Sequence, residues 1–331
     1  MHCGTNLAVQ VAGIGSYLPE KVLSNFDLEE MVDTSDEWIV PRTGIHERHI
    51  VAEGEATSDL AIAAGREALR RAEVTPEDVD VIIVATCTPD YLFPATGCLV
   101  QAALGAQNAM AFDLEAACSG FVYGFACAST MVATGMSRTA LVIGAEALSR
   151  MTDYTDRRSC ILFGDGAGAV VLRPSQNASE VLYSELGADG SQPEILMIPA
   201  GGSRMPASAE TVETRQHYMK LEGREVFKQA VNKLIELLER VPERTGVELA
   251  EIKMVIPHQS NVRIINSALE RAGLSVEKAY MNIDRVGNTS AASIPLAMAE
   301  AVQRGELERG DLVLFLAFGG GLTWASTLLR Y

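Results

Sequence analysis

One cysteine of this chain has neighbours typical of a nucleophile. Cys118 follows the apolar segment 109–114 and opens the apolar segment 118–134. This pattern predicts a strand, then Cys118, then a helix. Unpaired N–H groups and the dipole at a helix N-terminus favour a thiolate, and the small neighbours Ala117 and Gly120 leave room for a substrate. The other interpretation is a core cysteine at a strand–helix corner.

Two polar residues of the C-terminal half have similar positions at the ends of apolar segments. His258 comes directly after the apolar segment 252–257, and in open α/β sheets ligands bind beyond the carboxyl ends of the strands. Asn288 follows Gly287 and precedes small residues that enter a predicted helix. An amide at this position can donate two hydrogen bonds to a developing oxyanion. Taken singly, each has an ordinary alternative, a histidine bonded within a loop and a helix cap.

Glycine-rich segments add a third kind of signal. The segment 318–321 reads Phe-Gly-Gly-Gly, which lets the backbone approach a ligand closely and offer an N–H, or simply makes a tight turn. The segment 164–168 resembles a dinucleotide fingerprint, but the strand-like segment 169–172 follows it instead of a helix. A dinucleotide site needs strand, glycines and helix in that order, so we expect none.

Composition excludes several other classes of protein. The 331 residues carry a formal net charge of −16, which disfavours a nucleic-acid partner. No apolar stretch is long enough to span a membrane, and residues 1–10 lack the features of a secretory signal. None of the six cysteines forms a C-x-x-C pair, and His46 and His49 lack further ligands nearby. We therefore expect a cytoplasmic enzyme without a metal.

The elements that must position these residues alternate along the chain, which predicts an α/β fold. The Gly-rich segments at 164–168 and 319–321 each precede an apolar strand, a weak sign of duplication. We predict two similar halves, residues 1–175 with the cysteine and residues 176–331 with the histidine and asparagine. Strands are predicted at 7–14, 79–86, 109–114, 139–145, 252–257, 311–318 and 324–331, and helices at 58–72, 97–104, 118–134 and 222–240, with 34–48 irregular and Ser58 as a helix cap.

Taken together, the motifs resemble the β-ketoacyl-[acyl-carrier-protein] synthase III family of the thiolase superfamily, nearly from end to end. The resemblance implies a duplicated thiolase fold with αβαβα layers and a homodimer. It also implies condensation of an acyl-CoA primer with malonyl-[acyl-carrier-protein], with release of CoA and carbon dioxide and no bound cofactor. The matching motifs occur in family order at 13–19, 34–39, 42–45, 118, 163–168, 258–259, 287–290 and 318–321.

The resemblance also implies roles for the residues of the site. Cys118 would hold the acyl group, and its N–H and that of Gly320 would form an oxyanion hole. His258 Nε2 and the Asn288 amide would donate hydrogen bonds to the enolate that decarboxylation leaves. Phe318 would lie beside the cysteine and disfavour the charged carboxylate of the malonyl group.

Binding roles follow in the same way. Trp38 and Arg157 resemble the pair that sandwiches the adenine of CoA, and Thr34 and Arg42 lie in the same CoA motif. Asn261 resembles the residue that faces the pantetheine arm. Two basic positions, Lys228 and Arg263, would receive the acidic carrier protein. Phe93 would reach across the dimer to close the partner's acyl pocket.

Small departures from the family pattern leave the primer open. Ser260 and Ser119 stand where alanine is common, and Pro41 stands where threonine is usual. Relatives with the same three residues build secondary metabolites or acylate other acceptors, and fold and triad alone do not separate these. A catalytically silent partner of another subunit is the alternative outside enzymes.

Overall fold

The computed structural model describes residues 2–3, 8–175 and 180–331, and this part of the chain contains fourteen strands and ten α-helices. The strands are β1 His2–Cys3, β2 Val9–Tyr17, β3 Lys21–Ser24, β4 Glu47–Ile50, β5 Val81–Ala85, β6 Met110–Leu114, β7 Ala140–Glu146, β8 Gly166–Pro174, β9 Glu180–Ala188, β10 Leu196–Met197, β11 Lys220–Leu221, β12 Met254–Pro257, β13 Leu312–Gly319 and β14 Thr323–Arg330. The helices are α1 Asn25–Glu29, α2 Asp36–Thr43, α3 Thr57–Ala72, α4 Thr96–Leu104, α5 Gly120–Ala133, α6 Ala209–Glu213, α7 Gly223–Thr245, α8 Val262–Arg271, α9 Ile283–Val286 and α10 Ser293–Gln303.

Two five-stranded sheets carry the fold. One has the order β2-β8-β7-β5-β6, with β7, β5 and β6 parallel, and the other has the order β1-β9-β14-β13-β12, with β13 and β12 parallel. Apart from β1, each sheet takes its strands from one half of the sequence. The division at residue 175 remains a prediction, because residues 176–179 lie outside the described part of the chain.

Helices cover both faces of each sheet. The N-terminal sheet has α3 on one face and α5 and α10 on the other, and α5 also packs on β13 and β14 of the C-terminal sheet. The outer face of that second sheet is covered by α7, which packs against α8. Between the sheets, the rings of Phe121 and Phe125 pack against Phe315 of β13, with centroids 5.6 to 6.2 Å apart. The predicted α/β fold with αβαβα layers is confirmed.

Sequence patterns explain these layers. All five residues of β5 are buried, as expected for a strand covered on both faces. In α3 the buried residues recur at helical spacing, so that one face packs on the sheet and the other meets solvent. No helix of the described residues is both long enough and apolar enough to cross a membrane.

The segment 34–48 was predicted to be irregular, and this was wrong. It contains α2, whose start is capped by the Ser35 hydroxyl accepting the N–H of Trp38, and whose end is Gly44 at a φ of 82°. These are standard start and stop signals of a helix.

Two further predictions about elements need correction, and two elements were not predicted. Ser58 does not cap α3, because Ala56 holds the N-cap position and the Ser58 hydroxyl donates to Asp90 at 2.7 Å. Helix α7 continues beyond residue 240 to Thr245 and includes Pro242. Strand β9 and helix α8 were not predicted.

Candidate active site

Cys118 lies at the carboxyl edge of the N-terminal sheet, in a short 3-10 turn over Ala117–Ser119 between β6 and α5. The turn places Ala117 at a φ of 44°, in the left-handed region that non-glycine residues rarely adopt. Such a conformation costs of order 1–3 kcal/mol and persists only where the surroundings enforce it. Here the Glu115 carboxylate accepts the N–H of Ala117 at 3.0 Å. The turn therefore holds Cys118 at the N-terminal end of α5.

The Gly-rich turn after β13 lies directly against this cysteine. A Cβ atom added to Gly319 would stand 2.6 Å from the backbone nitrogen of Cys118 and 3.0 Å from its Cβ. Real Cβ contacts are essentially never that short, so only glycine fits at this position. Gly320, the next residue of the turn, lines the same cavity as Cys118.

His258 follows β12 and is buried, with 5% of its surface exposed. Its backbone N–H donates to the carbonyl oxygen of Leu316 on β13, at 2.7 Å. Its ring Nδ1 lies 2.8 Å from the hydroxyl of Ser293. Burial lowers the pKa of the imidazole to about 3, so that the ring is neutral at physiological pH.

Asn288 is fixed by its backbone and by its own side chain. Its N–H donates to the carbonyl of Leu162 and its carbonyl accepts the N–H of Gly164. The side-chain Oδ1 accepts the N–H of Ser290 at 2.9 Å, which leaves the amide NH₂ to donate elsewhere. Ser290 has a φ of 47°, so this turn too is held in an unfavourable conformation.

These residues share one cavity of about 650 Å³. One end is apolar and is formed by Leu148, Phe163 and Met219 with the partly buried Leu196 and Ile198. The residues predicted from sequence that line the cavity are Trp38, Arg42, Cys118, His258, Asn261, Asn288, Phe318 and Gly320. Thr34, Phe93, Arg157, Lys228 and Arg263 do not line it.

The outer end of the cavity carries a cationic and aromatic cluster. The guanidinium carbon of Arg42 lies 4.5 Å from the Trp38 ring centroid, and that of Arg157 lies 5.2 Å from it. Both cations are therefore in range of a cation–π contact. Asn261 donates to the carbonyl of Arg42 at 2.8 Å, which ties this cluster to α8. The hydroxyl oxygen of Thr34 is buried and has no hydrogen-bond partner among the residues that the structure describes.

The sequence and the fold of this chain are both similar to those of known proteins. The family model described as 3-oxoacyl-[acyl-carrier-protein] synthase III matches residues 112–190, and the model of its C-terminal region matches residues 243–331. The chain is 54% identical, over 98% of both chains, to β-ketoacyl-[acyl-carrier-protein] synthase III of Caldanaerobacter subterraneus subsp. tengcongensis. It is 53% identical to the enzyme of that name from Symbiobacterium thermophilum, again over 98% of both chains. The crystal structure of 3-oxoacyl-[acyl-carrier-protein] synthase III from Aquifex aeolicus VF5 superposes with a TM-score of 0.90 at 49% identity, covering 98% of this chain and 100% of that one.

The chain belongs to the β-ketoacyl-[acyl-carrier-protein] synthase III family. The predictions of this family and of a condensing acyltransferase are confirmed. The alternative of a related enzyme of secondary metabolism is not favoured.

Three residues near the nucleophile were missed from sequence. Cys87 lines the cavity, and the buried Glu146 accepts hydrogen bonds from the Thr88 hydroxyl and the Cys87 N–H. The Ser290 hydroxyl lies 3.9 Å from the sulfur of Cys87 and acts to lower the pKa of the Cys118 thiol. Glu146 had a visible signal, because it is a charge at the end of the apolar segment 139–145.

These neighbours set the electrostatics of the thiol. Burial, aided by the Glu146 carboxylate, raises the pKa of Cys118 to about 12, while the Ser290 hydroxyl opposes the shift. Burial likewise raises the pKa of Glu146, and the hydrogen bonds from Thr88 and Cys87 oppose that shift. The site at rest therefore holds a protonated thiol beside a neutral imidazole.

The remaining predicted residues lie on the surface. Lys228 on α7 and Arg263 on α8 are exposed, and the guanidinium carbon of Arg263 lies 5.8 Å from the ring centroid of Phe227, which lines the cavity. Phe93 is 86% exposed, in a segment with Tyr91 and Leu92 that is likewise exposed. Among the described residues, no group of three or more histidine, cysteine or acidic side chains could hold a metal ion.

Proposed function

We propose that this chain condenses an acyl-CoA primer with malonyl-[acyl-carrier-protein] by way of an acyl-Cys118 thioester, and so starts fatty-acid synthesis. The observation that carries the proposal is that Cys118, His258 and Asn288 line one cavity with the Gly-rich turn against the cysteine. The relatives named β-ketoacyl-[acyl-carrier-protein] synthase III, at about half identity over nearly the whole chain, support it.

Acylation is the first half-reaction. The sulfur of Cys118 attacks the thioester carbonyl, a new C–S bond forms, and the bond to CoA breaks so that CoA leaves as a thiol with the cysteine's proton. Negative charge develops on the carbonyl oxygen, and the N–H groups of Cys118 and Gly320 stabilise it. The N-terminal end of α5 favours the attacking thiolate and offsets part of the penalty from burial.

Condensation is the second half-reaction. The malonyl thioester loses carbon dioxide and leaves an enolate, to which His258 Nε2 and the Asn288 amide donate hydrogen bonds. The α-carbon then attacks acyl-Cys118, a C–C bond forms and the cysteine leaves as a thiolate. The neutral state of His258 supports a donor role without a full charge. Phe318, which is 7% exposed and lines the cavity, disfavours the carboxylate nearby.

The outer cluster provides a surface for CoA. Trp38 and Arg157 take the adenine, a flat aromatic face opposite a planar guanidinium. Arg42 meets a phosphate of CoA, and Thr34 belongs to the same segment. Asn261, at the start of α8, faces the pantetheine arm. A chain of net charge −16 can bind anions in this way because Arg42 and Arg157 supply positive charge locally, beside one aromatic ring.

The surface residues suggest two protein partners. Lys228 and Arg263 lie on the exposed surfaces of α7 and α8 and suit an acidic carrier protein. Phe93 is 86% exposed, which is unfavourable for a large apolar ring unless another surface covers it. We infer a homodimer in which Phe93 closes the partner's acyl pocket. We place the enzyme in the cytoplasm, since Cys87, Cys98, Cys118, Cys127 and Cys160 are free thiols.

The two half-reactions can be tested separately. Intact-protein mass spectrometry after brief incubation with single acyl-CoAs of increasing length should show one acyl adduct on the wild type. The adduct should be absent from Cys118→Ala and retained in Cys98→Ala, which removes an exposed thiol outside the cavity. The acyl-CoA whose acyl group is transferred to the protein most completely identifies the primer class.

Release of carbon dioxide from malonyl-[acyl-carrier-protein] tests the second half-reaction. His258→Ala and Asn288→Ala should lose decarboxylation, each by about a hundredfold or more, because each removes a donor to the enolate. Both variants should still acquire the acyl adduct. Unchanged turnover in Cys118→Ala would refute the proposal, and an adduct without any decarboxylation by the wild type would point to acyl transfer to another acceptor.

A further inference from the structure

The hydroxyl of Ser293 occupies a fixed position behind the His258 ring. Ser293 is the first residue of α10 and is 1% exposed. Its Oγ lies 2.8 Å from His258 Nδ1 and 3.3 Å from the backbone nitrogen of Gln259. Among the described residues, the Ser293 hydroxyl is therefore the one hydrogen-bond partner of His258 Nδ1, while His258 also lines the cavity.

The Ser293 hydroxyl has a single proton, and this fixes the direction of its hydrogen bonds with Gln259 and His258. The N–H of Gln259 can only donate, so Ser293 Oγ accepts at that contact. The hydroxyl has one proton, and within the described part of the chain its hydrogen bonds are only those to Gln259 and His258. If Nδ1 carried the ring proton, the buried hydroxyl proton would have no acceptor. An unsatisfied buried donor is unfavourable, so the hydroxyl donates to Nδ1.

The backbone around His258 makes this arrangement rigid. The Gln259 side chain is fully buried, donates to the carbonyls of Pro257 and Tyr280 at 2.8 and 3.2 Å, and accepts the N–H of Asn282. These bonds fix the peptide N–H that faces Ser293, and with it the direction in which the hydroxyl can point.

We propose that Ser293 is a positioning residue that holds His258 in the tautomer with its proton on Nε2. The ring then presents a hydrogen-bond donor, not a base, to the cavity. This inference rests on the proposed function, because it matters only if His258 donates to the enolate during decarboxylation. It follows that Ser293 serves condensation and that acylation of Cys118 does not depend on it.

The tautomer can be read directly from the unmodified protein. Nitrogen-15 NMR of histidine-labelled wild-type enzyme distinguishes a proton on Nε2 from one on Nδ1, and the resonances missing from His258→Ala assign the ring. We expect the proton on Nε2. A proton on Nδ1 would overturn the inference without any need for a Ser293 variant.

Ser293→Ala tests the consequence for the reaction. Decarboxylation of malonyl-[acyl-carrier-protein] should fall about tenfold to a hundredfold, by analogy with the loss of the hydrogen-bond partner that orients a metal-binding histidine. Acylation of Cys118 should stay within about twofold of wild type, since the variant leaves the cysteine and the Gly-rich turn intact. Ser129→Ala is the matched control, because it removes another fully buried hydroxyl, in α5, that has no hydrogen-bond partner within the described part of the chain. A loss of both half-reactions in equal measure would indicate a merely structural role and would overturn the inference.

The double variant separates failure of this inference from failure of the proposed function. If Ser293 acts through His258, adding Ser293→Ala to His258→Ala should cost no further decarboxylation. An additional tenfold loss in the double variant would show that Ser293 acts by another route. If His258→Ala itself decarboxylates normally, the proposed role of the histidine fails first, whatever Ser293 does.

Discussion

Replacing Gly319 with alanine tests whether the Gly-rich turn after β13 contributes to catalysis through its contact with the nucleophile. The added Cβ would stand 2.6 Å from the nitrogen of Cys118, 3.0 Å from its Cβ and 3.2 Å from its Cα. Ordinary contacts of a Cβ begin at 3.4 Å. Two of the three atoms are backbone, so no rotamer change relieves the overlap. The turn must therefore retreat by about 0.8 Å, the difference between 3.4 and 2.6 Å.

That movement carries the N–H of Gly320, the next residue, away from the carbonyl oxygen it is proposed to bind. Hydrogen bonds of this type work at about 2.7–3.2 Å, so a shift of this size takes the donor out of range. Loss of one oxyanion donor costs about 2.7–4 kcal/mol of transition-state stabilisation, or about 10²–10³ in rate. We expect Gly319→Ala to acylate Cys118 at least about a hundredfold more slowly than wild type.

The assay is single-turnover acylation followed by intact-protein mass spectrometry, with thermal melting as a check on folding. Gly202→Ala is the matched control, because a Cβ there meets nothing within 4 Å, and it should acylate at the wild-type rate. Gly320→Ala should show a smaller loss than Gly319→Ala, since its Cβ would meet the Leu196 carbonyl at a tight but possible 3.3 Å. A folded Gly319→Ala enzyme that acylates at the wild-type rate would refute the reasoning.

Four other outcomes follow from the structure. The rate at which iodoacetamide alkylates Cys118, followed by peptide mass spectrometry, should rise about tenfold per pH unit up to pH 9. The reason is that the thiol pKa lies at about 12, so the thiolate fraction grows with pH over this range. A rate that reaches a plateau near pH 7 would contradict this. Glu146→Gln should be alkylated faster at any given pH, because the carboxylate raises that pKa. Trp38→Ala should raise the KM for acyl-CoA about tenfold with little change in kcat, because the variant loses the ring that stacks on the adenine and contacts both guanidinium groups. An unchanged KM would exclude the proposed adenine site. Arg48→Met should lower the free energy of unfolding by about 3 kcal/mol in urea denaturation, because the buried Ile161 carbonyl, the buried Asn25 Oδ1 and the partly buried Leu23 carbonyl lose their donor. The matched control Arg66→Ala, at an exposed position, should change it by less than about 0.5 kcal/mol.

Two side chains of the candidate site, Cys118 and His258, were visible in the sequence because each comes after an apolar segment. Cys118 follows the edge strand β6, and His258 follows β12, whose four residues are all buried and form an unbroken apolar run, as expected for a parallel strand covered on both faces. Their order along the chain, together with Asn288 and the Gly-rich segments, was more specific than any one motif. The α/β class followed from the same alternation of strands and helices, whereas the αβαβα layers came from the resemblance to the family.

Contacts between distant segments had no such signal. Ser293 meets His258 across 35 positions, and Glu146 meets Cys87 across 59, so neither pair shows in a local pattern. The positive φ of Ala117 was also hidden, since the sequence carries no glycine there to indicate it. Sequence patterns report periodicity and end signals, whereas these features arise only when the sheets and helices come together.

An acidic residue beside a nucleophilic cysteine looks unfavourable, and its hydrogen bonds explain why it is there. The Glu146 carboxylate accepts from the Thr86 and Thr88 hydroxyls and from the N–H groups of Cys87 and Ala291. These donors lie directly after β5 and in the turn Ser290–Ala292, and unpaired they would be costly. The same carboxylate raises the pKa of the Cys118 thiol and so lowers the fraction of thiolate. In return, the hydrogen bonds to Glu146 hold the surrounding turns in place. If Ser293 fixes the proton on Nε2, His258 cannot accept the thiol's proton there, and ionisation must rely on the start of α5 and on the Ser290 hydroxyl.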